Sequence, residues 1–220
     1  MNISFFLNNL QVVDCILHFV VIYYSHAVRE GKKRMVQKRT LDLNKVIEKA
    51  NELICQKGLS KTTMPNLAEA LGVRSQSLYH YVSGRKQLLS LVGASRIKLL
   101  HHRLVDSLMG LSGKDALLKF ADVTRNFVLH DPSLASILYH LNEYSKEDAI
   151  TQEIMALFAL GEKFNLKKDE TISFHALVGA VLGYVFLDKS TLFANESDEK
   201  ANENYHKMIL RLVEPVAIVQ

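Results

Sequence analysis

Residues 67–89 read LAEALGVRSQSLYHYVSGRKQLL, two short helical patterns separated by a glycine bend. Apolar side chains stand at Leu67, Leu71, Val73, Leu78 and Val82. Leu67 and Leu71 share one helix face at a spacing of four, and so do Leu78 and Val82. Gly72 follows the first pair directly, where a left-handed residue ends a helix at little cost. Ala68 is small where a second helix must cross closely. Thr63 is placed to cap the first helix, and Pro65 is tolerated in its opening turn. The spacing predicts a second helix from Ser75 to Val82.

That second helix leaves Ser75, Gln76, Ser77, Tyr79, His80 and Tyr81 on its outer side. None of them improves a core, yet all can donate to phosphates or to base edges. Gln76 is the side chain best suited to a two-point contact with a base. Tyr79 and Tyr81 can reach phosphate through their hydroxyls and lay their rings on sugar or a thymine methyl. Arg85 and Lys86 open the next helix, where backbone amides and cations would jointly hold a phosphate. Together with Thr63, Asn66 and Arg74, these residues form the candidate DNA-contacting set. A plain helical hairpin with a polar outer face shows the same apolar pattern, so the flanks decide between the two.

Upstream, Leu43, Val46, Ile47, Ala50, Leu53 and Ile54 fall on one face of a helix, and Gly58 is its natural stop. Downstream of Arg85 a long helix carries Leu88, Leu89, Val92, Ile97, Leu99 and Leu100. The result is a three-helix head on a stalk. Residues from about Leu43 to Val92 resemble the DNA-binding head of the tetracycline-repressor (TetR) family of transcriptional regulators. The resemblance rests on KGLSKTTMPNLAEALGV at 57–73, SLYHYV at 77–82 and GRKQLL at 84–89, which match that family in order and spacing. It covers about a quarter of the chain. Gly84 departs from it, since such proteins more often carry a polar residue there, and a looser turn is expected before the phosphate-binding helix.

The chain is 48% hydrophobic over 220 residues, enough to bury a full core in one or two domains. From Met35 to Leu100 there are 11 Lys and Arg against 4 Asp and Glu, a balance of +7. From His101 to the end there are 12 against 17, a balance of −5. A basic head on an acidic body suits a molecule that touches DNA at one end. Cys15 and Cys55 are far apart and lack the spacing of a thiolate metal site, a profile of a reducing compartment such as the cytoplasm. Pro is present 3 times and Gly 10 times, and no run of alternating β-branched residues stands out. The expected fold is all-α: an N-terminal three-helix head joined by a long helix to a C-terminal helical body. No metal-binding, phosphate-loop or nucleophile signature appears, so neither a cofactor nor an enzymatic role is expected.

Residues 1–34 lie outside the family pattern. Asn2 to Tyr24 is largely apolar and leads into Arg29, Lys32, Lys33 and Arg34. Three readings stay open. Translation would begin at Met35, since Arg-Glu-Gly at 29–31 can be encoded by purine-rich codons resembling a ribosome-binding sequence. The segment would otherwise form an extra helix on the body. It would, as a third reading, anchor a membrane-tethered regulator through residues 1–24, although Asn8, Asn9, Gln11, Asp14 and His18 interrupt the apolar run and make a membrane partner the weaker expectation. The expected domains are therefore 1–34 as an extension, 38–98 as the DNA-binding head and 99–220 as the body.

Body helices are expected at about 85–109, 114–130, 133–141, 147–163, 169–190 and 198–214, with breaks at 110–113 and at Asp131-Pro132. The resemblance implies that this body dimerises through its last two long helices and houses a small-molecule pocket. Ala176, Gly179, Ala180 and Gly183 form a small-residue stripe that fits the dimer role. Phe127, His130, Tyr139, His140, Tyr144 and His175 are the candidate pocket residues. The combined expectation is a cytoplasmic, ligand-responsive repressor, acting as a homodimer on a palindromic double-stranded operator and released by a small-molecule effector. A helical small-molecule-binding protein without DNA binding is the alternative.

Overall fold

The computed structural model describes residues 41–163, 173–188, 190 and 196–213, all within one unit spanning Leu41–Gln220. The readings of residues 1–34 fall outside them. Among the described residues all regular structure is helical. The α-helices are α1 (Leu43–Lys57), α2 (Met64–Leu71), α3 (Ser75–Leu78), α4 (Arg85–Leu108), α5 (Gly113–Leu129), α6 (Pro132–Leu138), α7 (Ala149–Lys163), α8 (Phe174–Asp188) and α9 (Asp198–Val213). Short 3-10 turns occupy Leu59–Lys61 and Leu141–Glu143. The all-α expectation holds.

Local sequence explains where the helices start and stop. The Asp42 carboxylate caps α1 by accepting the Lys45 N–H at 2.9 Å. Gly58 ends the helix at φ 81°, a backbone that disfavours a side chain, and donates its N–H to Ile54 O at 2.8 Å. Val46, Ala50, Leu53 and Ile54 are buried, as their spacing predicts. Leu43, the first residue of the helix, departs from that stripe and is 37% exposed.

α4 organises the molecule. It runs 24 residues, about 36 Å at 1.5 Å per residue. Its N-terminal part packs on α1, and its length is covered by α5, α6 and, most extensively, α7. Leu88, Leu89, Val92, Ile97, Leu100, Leu104 and Leu108 are buried along it. Leu99, expected on this face, is 45% exposed on the side those helices leave open. The expected boundary between 98 and 99 falls within this continuous helix. Buried Gly93 sets the approach of α7: a Cβ there would lie 3.1 Å from Ile150 Cγ1 and 3.2 Å from Ile137 Cγ2.

In the body, Phe120 and Ala121 of α5 are fully buried, while α8 packs on α5 and α9 packs on both. A polar relay ties α1 to the body. The Asp131 carboxylate caps α6 through the Leu134 N–H at 2.9 Å and accepts from Arg96 Nε of α4 at 2.6 Å. Ser133 Oγ lies 3.2 Å from the same carboxylate and donates to Asn51 of α1.

Candidate nucleic-acid interface

The head folds around its two leucine pairs. Thr63 caps α2, its hydroxyl accepting the Asn66 N–H at 3.3 Å, and Pro65 stands in the first turn. Gly72 takes the left-handed conformation at φ 66°, ψ 32°, and turns the chain toward α3. Leu67, Leu78 and Val82 are buried beneath the bend. Outward of that core, Arg74, Gln76, Tyr79 and His80 are exposed, while Ser75 and Ser77 are half-buried.

The reader helix is shorter than its pattern predicts. It ends at Leu78 rather than Val82, and the chain turns at Tyr79, with the Tyr81 and Val82 N–H groups both bonded to Leu78 O. A long-range contact accompanies this turn. The Tyr81 hydroxyl donates to Leu41 O at 2.7 Å, drawing its ring against the head core. Tyr81 is thus a structural tie and not the outward phosphate contact expected of it.

Three further expected contacts have other structural duties. The Asn66 side chain donates to Lys61 O at 2.6 Å, and the Thr63 hydroxyl is the α2 cap. Arg85 does not extend toward solvent: its Nε donates to Thr62 O at 2.9 Å and its Nη2 to Leu59 O at 2.7 Å. The guanidinium fork thus spans the turn before α2, sharing Leu59 O with the Thr62 N–H at 3.1 Å and bonding Thr62 O directly. Lys86 alone of the pair projects outward, 58% exposed, with Asp148 at 3.4 Å. Gly84 has φ 165°, an extended backbone open to any residue, and Ser83 N–H bonded to the Gln87 side chain closes the turn.

Residues 46–92 match the model of bacterial regulatory proteins of the tetR family. The match covers the head alone, 47 of the 220 residues. The chain is also similar to a TetR variant from Acinetobacter baumannii AYE in complex with minocycline, at 21% identity over 79% of this chain and 95% of that one, TM-score 0.61. BioQ of Mycobacterium smegmatis is similar at 17% identity over 79% and 96%, TM-score 0.56. A tetR-family regulatory protein from Rhodococcus RHA1 is similar at 15% identity over 79% and 97%, TM-score 0.57. At these identities the likeness establishes the fold. Nothing among curated proteins matches the chain.

The residues expected to line a TetR-type pocket do not converge. Phe127 and His130 line a groove of about 470 Å³ with Arg103, Asp106, Ser107, Val123 and Asn126. Phe127 lies under two guanidinium groups, Arg103 at 5.0 Å and Arg96 at 5.9 Å from its ring centroid. Tyr139 belongs to a separate apolar groove of about 320 Å³, edge-on to Phe186 at 5.6 Å. His140 Nδ1 is 3.0 Å from Ser136 O, and its ring meets the Tyr139 edge. Tyr144 is half-buried at the head–body junction near Arg85, its phenol pKa pushed up by burial. His175 is exposed in the first turn of α8. Sequence spacing fixes a helix face but not which neighbour covers it, and α5 and α6 present these positions to different neighbours.

The sequence reading missed Arg125, an arginine on the buried face of α5. It is 6% exposed, donates to Asn202 Oδ1 at 2.7 Å, stands 3.6 Å from Asp188, and lies 4.6 Å from the Tyr205 ring centroid. Its place between Ala121 and Val128 was the available signal. In α8, Ala176 and Gly179 are exposed, Ala180 and Gly183 half-exposed, while Leu177, Val181 and Val185 face the core. Among the described residues no three His, Cys, Asp or Glu side chains gather as a metal site, and no helix is long and apolar enough to cross a membrane.

Proposed function

We propose that this protein is a ligand-responsive repressor that binds a palindromic operator as a homodimer in the cytoplasm. The fold and the head domain are those of a DNA-binding transcriptional regulator. The observation that carries the reading is the outward set Arg74, Gln76, Tyr79 and His80 on a glycine-bent hairpin that buries Leu67, Leu78 and Val82. Each α3 would enter a major groove, and two copies would read half-sites about one helical turn apart. The small-residue side of α8 would seat the second copy. A small molecule would enter the groove over Phe127 and shift the population toward a state with misplaced heads; the similar Acinetobacter protein is itself in complex with minocycline. Repression needs only that a bound dimer block a promoter.

Selection of bound sequences from random duplex DNA tests the reading, with recovery of a palindrome expected. Gln76→Ala should then relax preference at one base position, losing about 1–3 kcal/mol of discrimination. Equal loss on specific and random duplex would remove Gln76 from base readout.

A further inference from the structure

The start of α4 holds a charge arrangement that DNA binding does not by itself require. No acidic residue lies in its first turn, so the positive end of the helix dipole is reinforced by Arg85 and Lys86. Arg85 is turned back onto Leu59 and Thr62. Lys86 is therefore the outward cation, and its ammonium faces the Asp148 carboxylate at 3.4 Å. Asp148 comes from the body, just ahead of α7.

That carboxylate is held in place. Asp148 Oδ2 accepts the Ser145 N–H at 2.8 Å and the Ser145 hydroxyl at 3.1 Å, and the Ser145 N–H above all lowers its pKa, with Lys86 adding to the effect. Two residues on, the buried Ile150 N–H donates to Ser90 Oγ of α4 at 3.1 Å, and the Ile150 side chain covers Gly93. The body thus fixes an anion beside the outward cation of the phosphate-facing helix.

We propose that Asp148 is an internal counter-ion for Lys86 that holds the affinity for duplex DNA below what the head alone would give; this rests on the DNA-binding reading above. A phosphate approaching α4 must draw Lys86 away from a carboxylate that stays nearby. Exposed ion pairs are weak and screened by salt, so Asp148 tempers binding by a few-fold and does not abolish it.

The test uses the full chain and a random-sequence duplex, with binding followed by fluorescence anisotropy across a salt series. Asp148→Asn keeps an oxygen for Ser145 and removes the charge. It should bind about three- to fivefold tighter, with a log–log salt slope steeper by about 0.9. Lys86→Met should bind more weakly, with a shallower slope, and adding Asp148→Asn to it should restore less than half of that gain. Unchanged binding by Asp148→Asn, or the full gain surviving in the Lys86→Met background, overturns the proposal. If the unaltered protein shows no salt-dependent duplex binding, the DNA-binding reading falls and takes this one with it. If it binds and Asp148→Asn matches it, only the counter-ion falls.

Discussion

Adding one methyl group at residue 93 tests the packing that joins the reader to the body. Gly93 is buried in α4, and the new Cβ would stand 3.1 Å from Ile150 Cγ1 and 3.2 Å from Ile137 Cγ2, closer still to Ile150 Cδ1. Both isoleucines are fully buried, so neither can swing its tip into solvent. Overpacking of this kind costs about 1–3 kcal/mol. Alanine in a helix recovers about 1 kcal/mol relative to glycine, so Gly93→Ala should destabilise by about 0–2 kcal/mol. Ile150→Val deletes the closest atom, Cδ1, and alone should cost about 0.5–1.5 kcal/mol. In the double variant the alanine methyl fills the space that Cδ1 vacates. The pair should therefore exceed the sum of the single effects in stability by about 1–2 kcal/mol. Urea unfolding of all four proteins, compared at matched m-values, measures that coupling. Additivity within about 0.5 kcal/mol would refute the close contact between α4 and α7.

Two other outcomes follow from the same contacts. Arg85→Ala removes two charge-assisted bonds to backbone carbonyls and should lower stability by about 1.5–3 kcal/mol, with Arg85→Lys recovering only part. Loss of DNA affinity with an unchanged unfolding midpoint would return Arg85 to direct phosphate binding. Gly179→Leu adds a side chain where nothing lies within 4 Å of the Cβ, so the protomer should stay folded while sedimentation velocity shows loss of self-association. A variant that still dimerises would move the seam away from α8.

What the sequence made legible was local. Gly58, Gly72, Thr63 and Pro65 each act through their own backbone or a neighbour within four residues, and each stands where its chemistry predicts. The periodic leucines gave the body helices to within a few residues, apart from the start of α8 and the end of α6, where a 3-10 turn takes over. The misreadings are long-range. Tyr81 is drawn in by Leu41, 40 residues away, and Arg85 by carbonyls 23 and 26 residues upstream. Leu99 obeys the apolar period of its helix and still faces outward, because period alone does not say how wide the covered stripe is. The Asp131–Ser133–Asn51 relay was readable only as a helix break, since its third member stands 82 residues from Ser133. The expected pocket residues spread over separate grooves for the same reason: aromatic type and helix face were visible, and which positions share a groove was not.

The fork of Arg85 has a mechanical consequence. With Tyr81 fastened to Leu41 on one side and Arg85 fastened ahead of α2 on the other, the turn at 79–84 is clamped at both ends. Swivelling α4 then carries the three small helices like the blade on a rigid oar. Over about 36 Å of shaft, a swing of about 5° sweeps the blade by about 3 Å, close to the step from one base pair to the next. If the chain reads an operator as proposed, a rearrangement of the body of that size would carry the head out of register with it.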